Sequence, residues 1–180
     1  MDFAPLDHPL DAKLPVNEAL DAYLEENAFT REEYDKPKVT VNFWGMRFTV
    51  PNLPSRQMAV RFHDLHHIAT GYGTDPVGEF EVSAWEVRRG IGVFGLYVRL
   101  IITSGWLFGL LLYPRRTVHA WRSAKRQPRL PRPSHELYAE FLTLDVASLR
   151  ARYGIDAAGI AGPRGLHRDA PAQHLERVVK

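Results

Sequence analysis

The chain has no cysteine among its 180 residues. That excludes disulfides, thiolate zinc sites and cysteine nucleophiles, and it fits a cytoplasmic protein. It has no internal repeat, no GxGxxG and no Walker pattern, so dinucleotide and P-loop chemistry have no footing. Residues 1–25 mix acids with scattered apolar side chains, unlike a secretory signal or an Arg-rich transit peptide. Long apolar runs are also missing. Ile91 to Tyr113 is the most apolar stretch, but Arg99 interrupts it, and residues 101–113 alone are too short to span a bilayer. A buried or interfacial helix is the better expectation.

Acidic residues are absent from one long region. Residues 87–135 hold no Asp or Glu and ten Lys or Arg, whereas residues 1–36 hold ten acids and three Lys or Arg. The net charge of +2 hides this asymmetry. Such a basic half wants an anionic partner. No nucleic-acid motif accompanies it, so no nucleic-acid partner is expected. The apolar segment 101–113 lies among Arg88, Arg89, Arg115, Arg116, Arg122, Lys125 and Arg126. An apolar body with a basic collar suits peripheral docking on an anionic membrane, with Trp106 near the boundary. Gly105-x-x-x-Gly109 permits close approach of a second helix.

With 45% hydrophobic residues the chain can bury a core, and its length suits one domain. The pattern predicts a mainly α, bundle-like domain over residues 1–155, with a mobile tail over 156–180 rich in Ala, Gly, Pro and charge. A short amphipathic helix is expected over 17–27. A short N-terminal β-hairpin is expected over 39–50 with Gly45 at its turn. Further helices are expected over 55–70, 76–89 and 117–126. Asp75, Ser134 and Asp145 read as N-caps, and Pro76 as a first helical residue.

What stands out is His63-Asp64-Leu65-His66-His67, with Glu79 twelve residues beyond His67. Imidazole nitrogen with carboxylate oxygen suits zinc, iron, manganese or cobalt, and the sequence does not choose among them. On a helix, His67 lies about 40° and Asp64 about 100° from His63, so the three share one arc. His66 falls about 60° to the other side and reads as a supporting or solvated residue. Glu79, in the first turn of the next helix, can fold back across a short loop. Met58, Phe62, Leu65 and Ala69 form an apolar stripe opposite this arc. The ligands should therefore face a groove or the surface, leaving room for water or a substrate carboxylate.

This arrangement resembles the HDxxH-x11-E signature of the coenzyme Q biosynthesis protein 4 family. The run Thr74-Asp75-Pro76-Val77-Gly78-Glu79 is similar too. The similarity continues more weakly through Ala120–Lys125 to Leu149–Ile155, covering residues 50–155. The resemblance implies a mostly helical protein of ubiquinone biosynthesis that handles a carboxylated, polyprenylated ring precursor. It implies peripheral membrane association, partner enzymes of the same route, and support for oxidative decarboxylation, in which a hydroxyl replaces the ring carboxyl. Metal ligation carries over to His63, Asp64, His67 and Glu79. Position suggests His66, Tyr72 or Trp85 beside the ring, and Arg99, Trp106, Arg115 and Arg116 on substrate or lipid. A homodimer is compatible with all of this. Two rival classes remain: a non-catalytic lipid-binding scaffold, and a histidine–aspartate phosphohydrolase. The latter needs further ligands, for which His8 and Asp145 are the available residues.

Overall fold

Prolines and side-chain caps mark out the helices. The computed structural model describes residues 10–43 and 46–161. Helix α1 is Val16–Glu26, α2 Pro54–Thr70, α3 Pro76–Arg89, α4 Leu96–Leu112, α5 Pro114–Ser123, α6 His135–Leu142 and α7 Val146–Arg152. Pro54, Pro76 and Pro114 begin α2, α3 and α5, where a missing N–H removes no helical hydrogen bond. The three expected caps form. Asp75 Oδ1 accepts from Gly78 N at 2.7 Å, Ser134 Oγ from Leu137 N at 3.2 Å, and Asp145 Oδ1 from Ser148 N at 2.7 Å. Helix α2 stops at Gly71, whose φ of 80° is left-handed and favours glycine.

The fold is mainly α, a single helical domain with one short hairpin. Strand β1 (Lys38–Phe43) pairs antiparallel with β2 (Met46–Pro51), with Val39 opposite Val50. The turn expected at Gly45 lies outside the described residues. The apolar helix expected over 91–113 divides into a 3-10 turn, Ile91–Val93, and α4. Gly92 and Gly95 interrupt the pattern there, and glycine is a poor helix former. The helix expected over 117–126 is α5, which starts three residues earlier at Pro114.

Helix α3 is central. Helices α4 and α5 pack closely on it, and α2 joins it to α1, α6 and α7. The α3–α4 contact is tight because of glycine. A Cβ at Gly105 would lie 2.5 Å from Ser83 Oγ, and one at Gly109 would lie 2.7 Å from Phe80 Cβ. The Gly105-x-x-x-Gly109 pair therefore acts between two helices of the same chain. The core is continuous through Leu20, Phe62, Leu65, Ile68, Trp85, Phe141, Leu149 and Tyr153, each at most 2% exposed. Each such side chain contributes about 1.5–3 kcal/mol of transfer free energy.

Two segments close the structure. Val16 N donates to Leu144 O and Val146 N to Leu14 O, both at 2.9 Å, fastening the approach to α1 against the α6–α7 corner. Ile160 N and Ala161 N both donate to Thr70 O, at 3.0 and 2.9 Å. Residues 160–161 are thus docked on the end of α2, where helical carbonyls need donors. The remainder of the expected tail, from 162, lies outside the described residues.

Candidate metal centre

Helix α2 brings His63 and His67 to adjacent turns, and the Asp75 cap starts α3 so that Glu79 meets them. His63 Nε2 is 3.2 Å from His67 Nε2 and 3.1 Å from Glu79 Oε2, and His67 Nε2 is 3.5 Å from Glu79 Oε1. Among the described residues, these three form a group with ligand atoms within 4.8 Å of one another, and the group could hold a metal ion.

The partners of the two rings fix which nitrogen faces inward. His67 Nδ1 lies 3.1 Å from Tyr72 O. A carbonyl only accepts, so Nδ1 carries the hydrogen and donates. His63 Nδ1 lies 3.0 Å from Glu86 Oε1, and an ionised carboxylate is also acceptor-only. In the neutral rings both Nε2 atoms are therefore bare lone pairs that face each other and the Glu79 carboxylate. Three acceptors at this separation need a positive charge among them, either a proton or a metal ion. This is the donor set of a divalent site with two imidazoles and one carboxylate. Three protein ligands are fewer than the four that close a structural zinc site.

The electrostatics agree. Burial opposes charge on His63, but Glu86 and Glu79 outweigh it and push its pKa well above the ordinary value. Burial would raise the Glu86 carboxyl, yet His63 and then His66 hold it down to about 2. Burial likewise opposes the Glu79 anion, and His67 and His63 hold its pKa well below the usual carboxylate range. Without a metal, the positive charge among the three acceptors is thus a proton on His63, whose Nε2 then donates to Glu79.

Of the four expected ligands, the structure brings three together. Asp64 is turned away. One carboxylate oxygen accepts from Tyr23 OH of α1 at 3.3 Å, and the other accepts a short hydrogen bond from Tyr34 OH. Its position about 100° round from His63 aims it at α1 and the 3-10 turn Arg31–Asp35 rather than at α3. Burial raises its carboxyl pKa against the Tyr34 hydrogen bond. The ligand arc is also less open than the stripe on α2 suggested. His67 is fully buried because α1 covers this face, with the Tyr23 ring tilted against its own at a centroid distance of 5.7 Å. Access remains past His63 and Glu79, whose side chains are 23% and 43% exposed.

His66 supports the site, as its phase allows. It is buried, and its Nδ1 lies 2.6 Å from Glu86 Oε1. Burial pushes its pKa below the ordinary value. Glu86 itself was not singled out in the sequence. The available signal was its spacing of seven from Glu79, which places both on one face of α3 within about 20°.

The other expected residues take different places. Tyr72 helps through its backbone carbonyl, while its buried hydroxyl lies 3.4 Å from Ser123 Oγ. Trp85 is core, donating to Gln127 Oε1 at 2.8 Å. Trp106 stacks on Trp121 with ring centroids 4.9 Å apart. Arg116 forms a two-point pair with the buried Glu81, at 2.9 and 2.7 Å, and so is committed to the fold. Arg99 and Arg115 are exposed. Asp145 serves as the α7 cap, and His8 lies outside the described residues. No family model matches the chain, and no curated protein or solved structure matches it.

Proposed function

We propose that this protein binds a divalent metal at His63, His67 and Glu79 and uses it on a prenylated aromatic ring acid in ubiquinone synthesis. The observation that carries the metal reading is the convergence of three ligand atoms whose outer partners, Glu86 and Tyr72 O, direct both histidine Nε2 atoms inward. The ring-acid substrate rests on the resemblance of His63-Asp64-x-x-His67 and Glu79 to the ubiquinone-biosynthesis family. When bound, the metal supplies Lewis acidity toward a substrate carboxylate. Glu86 holds His63 in its ligating tautomer. Tyr72 O does the same for His67, and the packing of α1 excludes water from the inner side. Replacement of the ring carboxyl by hydroxyl needs an oxidant and an oxygen source from another molecule. Zinc, iron, manganese and cobalt all suit this donor set.

Membrane contact belongs to the same proposal. Leu96, Leu100, Ile101, Leu107, Phe108, Leu111 and Leu112 are exposed along α4, from 38% to 76%. No helix among the described residues is long and apolar enough to cross a membrane. A peripheral, one-sided docking of this face supports presentation of a lipid-tailed substrate. The same face favours the scaffold reading, in which the protein presents the lipid to partner enzymes and performs no chemistry.

Profiling of quinone intermediates in cells lacking this chain tests the proposal. The expected result is accumulation of a ring still bearing its carboxyl, relieved by the wild-type chain but not by Glu79→Ala. Accumulation of a decarboxylated or unprenylated intermediate overturns it. Full rescue by Glu79→Ala selects the scaffold.

A further inference from the structure

At the far end of α3 from the Glu79 turn, a cleft of about 310 Å³ opens between that helix and the segment following α5. Its lining includes Arg88, Arg89, Lys125, Gln127 and Arg129, and no acidic residue. We propose that this cleft is a binding site for a phosphoryl anion: phosphate, pyrophosphate or the phosphomonoester end of a small ligand.

Helix termini alone do not account for it. Arg88 and Arg89 close α3, and Lys125 follows α5, so each complements a helix C-terminus. Two such termini present about one negative charge in total, roughly −0.5 each. Four cations exceed what the two helix ends attract, so the cleft is net positive. A dianionic phosphoryl group matches that excess better than a single carboxylate.

Arg89 makes the cleft a built site rather than a basic patch. It is only 3% exposed. Its Nε donates to Pro128 O at 2.8 Å, and its guanidinium carbon lies 4.3 Å from the Trp85 ring centroid and 5.1 Å from that of Tyr153. Those contacts fix the plane of the guanidinium. Nη1 and Nη2 are nevertheless buried without a hydrogen-bond partner among the described residues. Leaving such donors unsatisfied is costly, and a two-point oxygen acceptor is their natural complement. Burial brings the Arg89 pKa down to about 10, so it remains a cation at neutral pH.

The neighbours are positioned for the same ligand. Arg88 rests over the Trp121 ring at 5.2 Å, which holds its charge near the mouth. Gln127 gives its Oε1 to Trp85, leaving Nε2 as its donor to a ligand. The volume is at the lower end of small-ligand clefts, larger than a lone ion requires. Ala124 supplies the only apolar side chain in the lining, so a hydrocarbon ligand is not favoured here.

The test is a pyrophosphate titration of the full chain at constant ionic strength, followed through the Arg89 Nε–H resonance. A saturable shift that chloride does not reproduce is expected. Lys125→Gln combined with Arg129→Gln changes two exposed residues and should weaken binding about tenfold or more while leaving the fold intact. The same saturation should persist in His67→Ala, which separates the cleft from the metal centre. A parallel arm uses phosphatidate and phosphatidylcholine vesicles. Saturation by pyrophosphate assigns a free anion, and saturation by phosphatidate vesicles alone assigns a lipid headgroup; either upholds the site. A non-saturating response to both, undiminished binding in the double variant, or loss of binding in His67→Ala overturns it.

Discussion

Helices α2 and α4 both pack on α3, and they depart from the ordinary rule of burial in opposite directions. Helix α2 buries Asp64, His66, His67 and Thr70, all polar, beside the buried Glu86 of α3. Helix α4 exposes seven large apolar side chains, with Leu111 at 76% and Leu96 at 64%. Buried polar groups are tolerated only when paired, and those of α2 largely are: Asp64 with two tyrosines, His66 and His63 with Glu86, His67 with Tyr72 O. Left over are the three acceptors of the candidate centre, together with His66 Nε2 and Glu86 Oε2, which are buried without a hydrogen-bond partner among the described residues. Exposed apolar residues have no such internal remedy, and their only gain comes from contact with something outside the chain. The contrast teaches that each helix departs from the ordinary rule in its own way: α2 gathers acceptors that could hold a metal ion, and α4 leaves an apolar face with no internal partner.

The contrast breaks most directly at His67. His67→Ala removes one of three ligand atoms and should abolish stoichiometric metal binding, read by metal analysis of chelator-washed and reloaded protein. Retained stoichiometry would remove the α2 half of the comparison. Glu86 gives the next effect. Glu86→Ala strips two histidines of their shared acceptor and should destabilise the metal-free fold by about 3 kcal/mol, measured by urea unfolding. Glu86→Gln keeps the shape, cannot accept as an anion, and should weaken metal affinity roughly 10- to 100-fold. The pH dependence has a defined sign. The folded Glu86 pKa, about 2, lies below the ordinary carboxylate value, so its contribution is fully present above about 4.5 and is lost as pH falls toward 2. Glu86→Gln should flatten acid unfolding in that window.

The seam between the two behaviours is the glycine contact. Gly109→Leu drives a side chain into Phe80 and Thr117 and should cost about 1–3 kcal/mol, visible as a lowered Tm. A neutral outcome would mean that α4 is free to shift on α3. The smallest stability effect sharpens the other half. Leu107→Gln with Leu111→Gln, at 54% and 76% exposure, should change stability by no more than about 0.5 kcal/mol per site. It should nevertheless lower binding to anionic vesicles in flotation. Unchanged flotation would leave the exposed face of α4 without a membrane role.

Much of this was written in the order of the residues. Period and punctuation determined the helices: Pro76 to Arg89 was legible to the residue because a proline, an Asp cap and a terminal glycine bracket it. The 100° step of a helix likewise placed His63 and His67 together before any tertiary contact was known. Tertiary structure decided the rest, for a common physical reason. A side chain's role depends on what the neighbouring element presents, and helical phase gives direction but not destination. Asp64 points where Tyr23 and Tyr34 happen to be supplied by α1 and the turn after it, so it joins them rather than the ligands. Glu86 becomes part of the site because α3 crosses α2 at an angle that carries it to His63 and His66. Arg116, read from sequence as one of a basic collar, meets a buried glutamate thirty-five residues away and is tied to α3. Such long-range pairings are chosen by packing, and no local pattern encodes them.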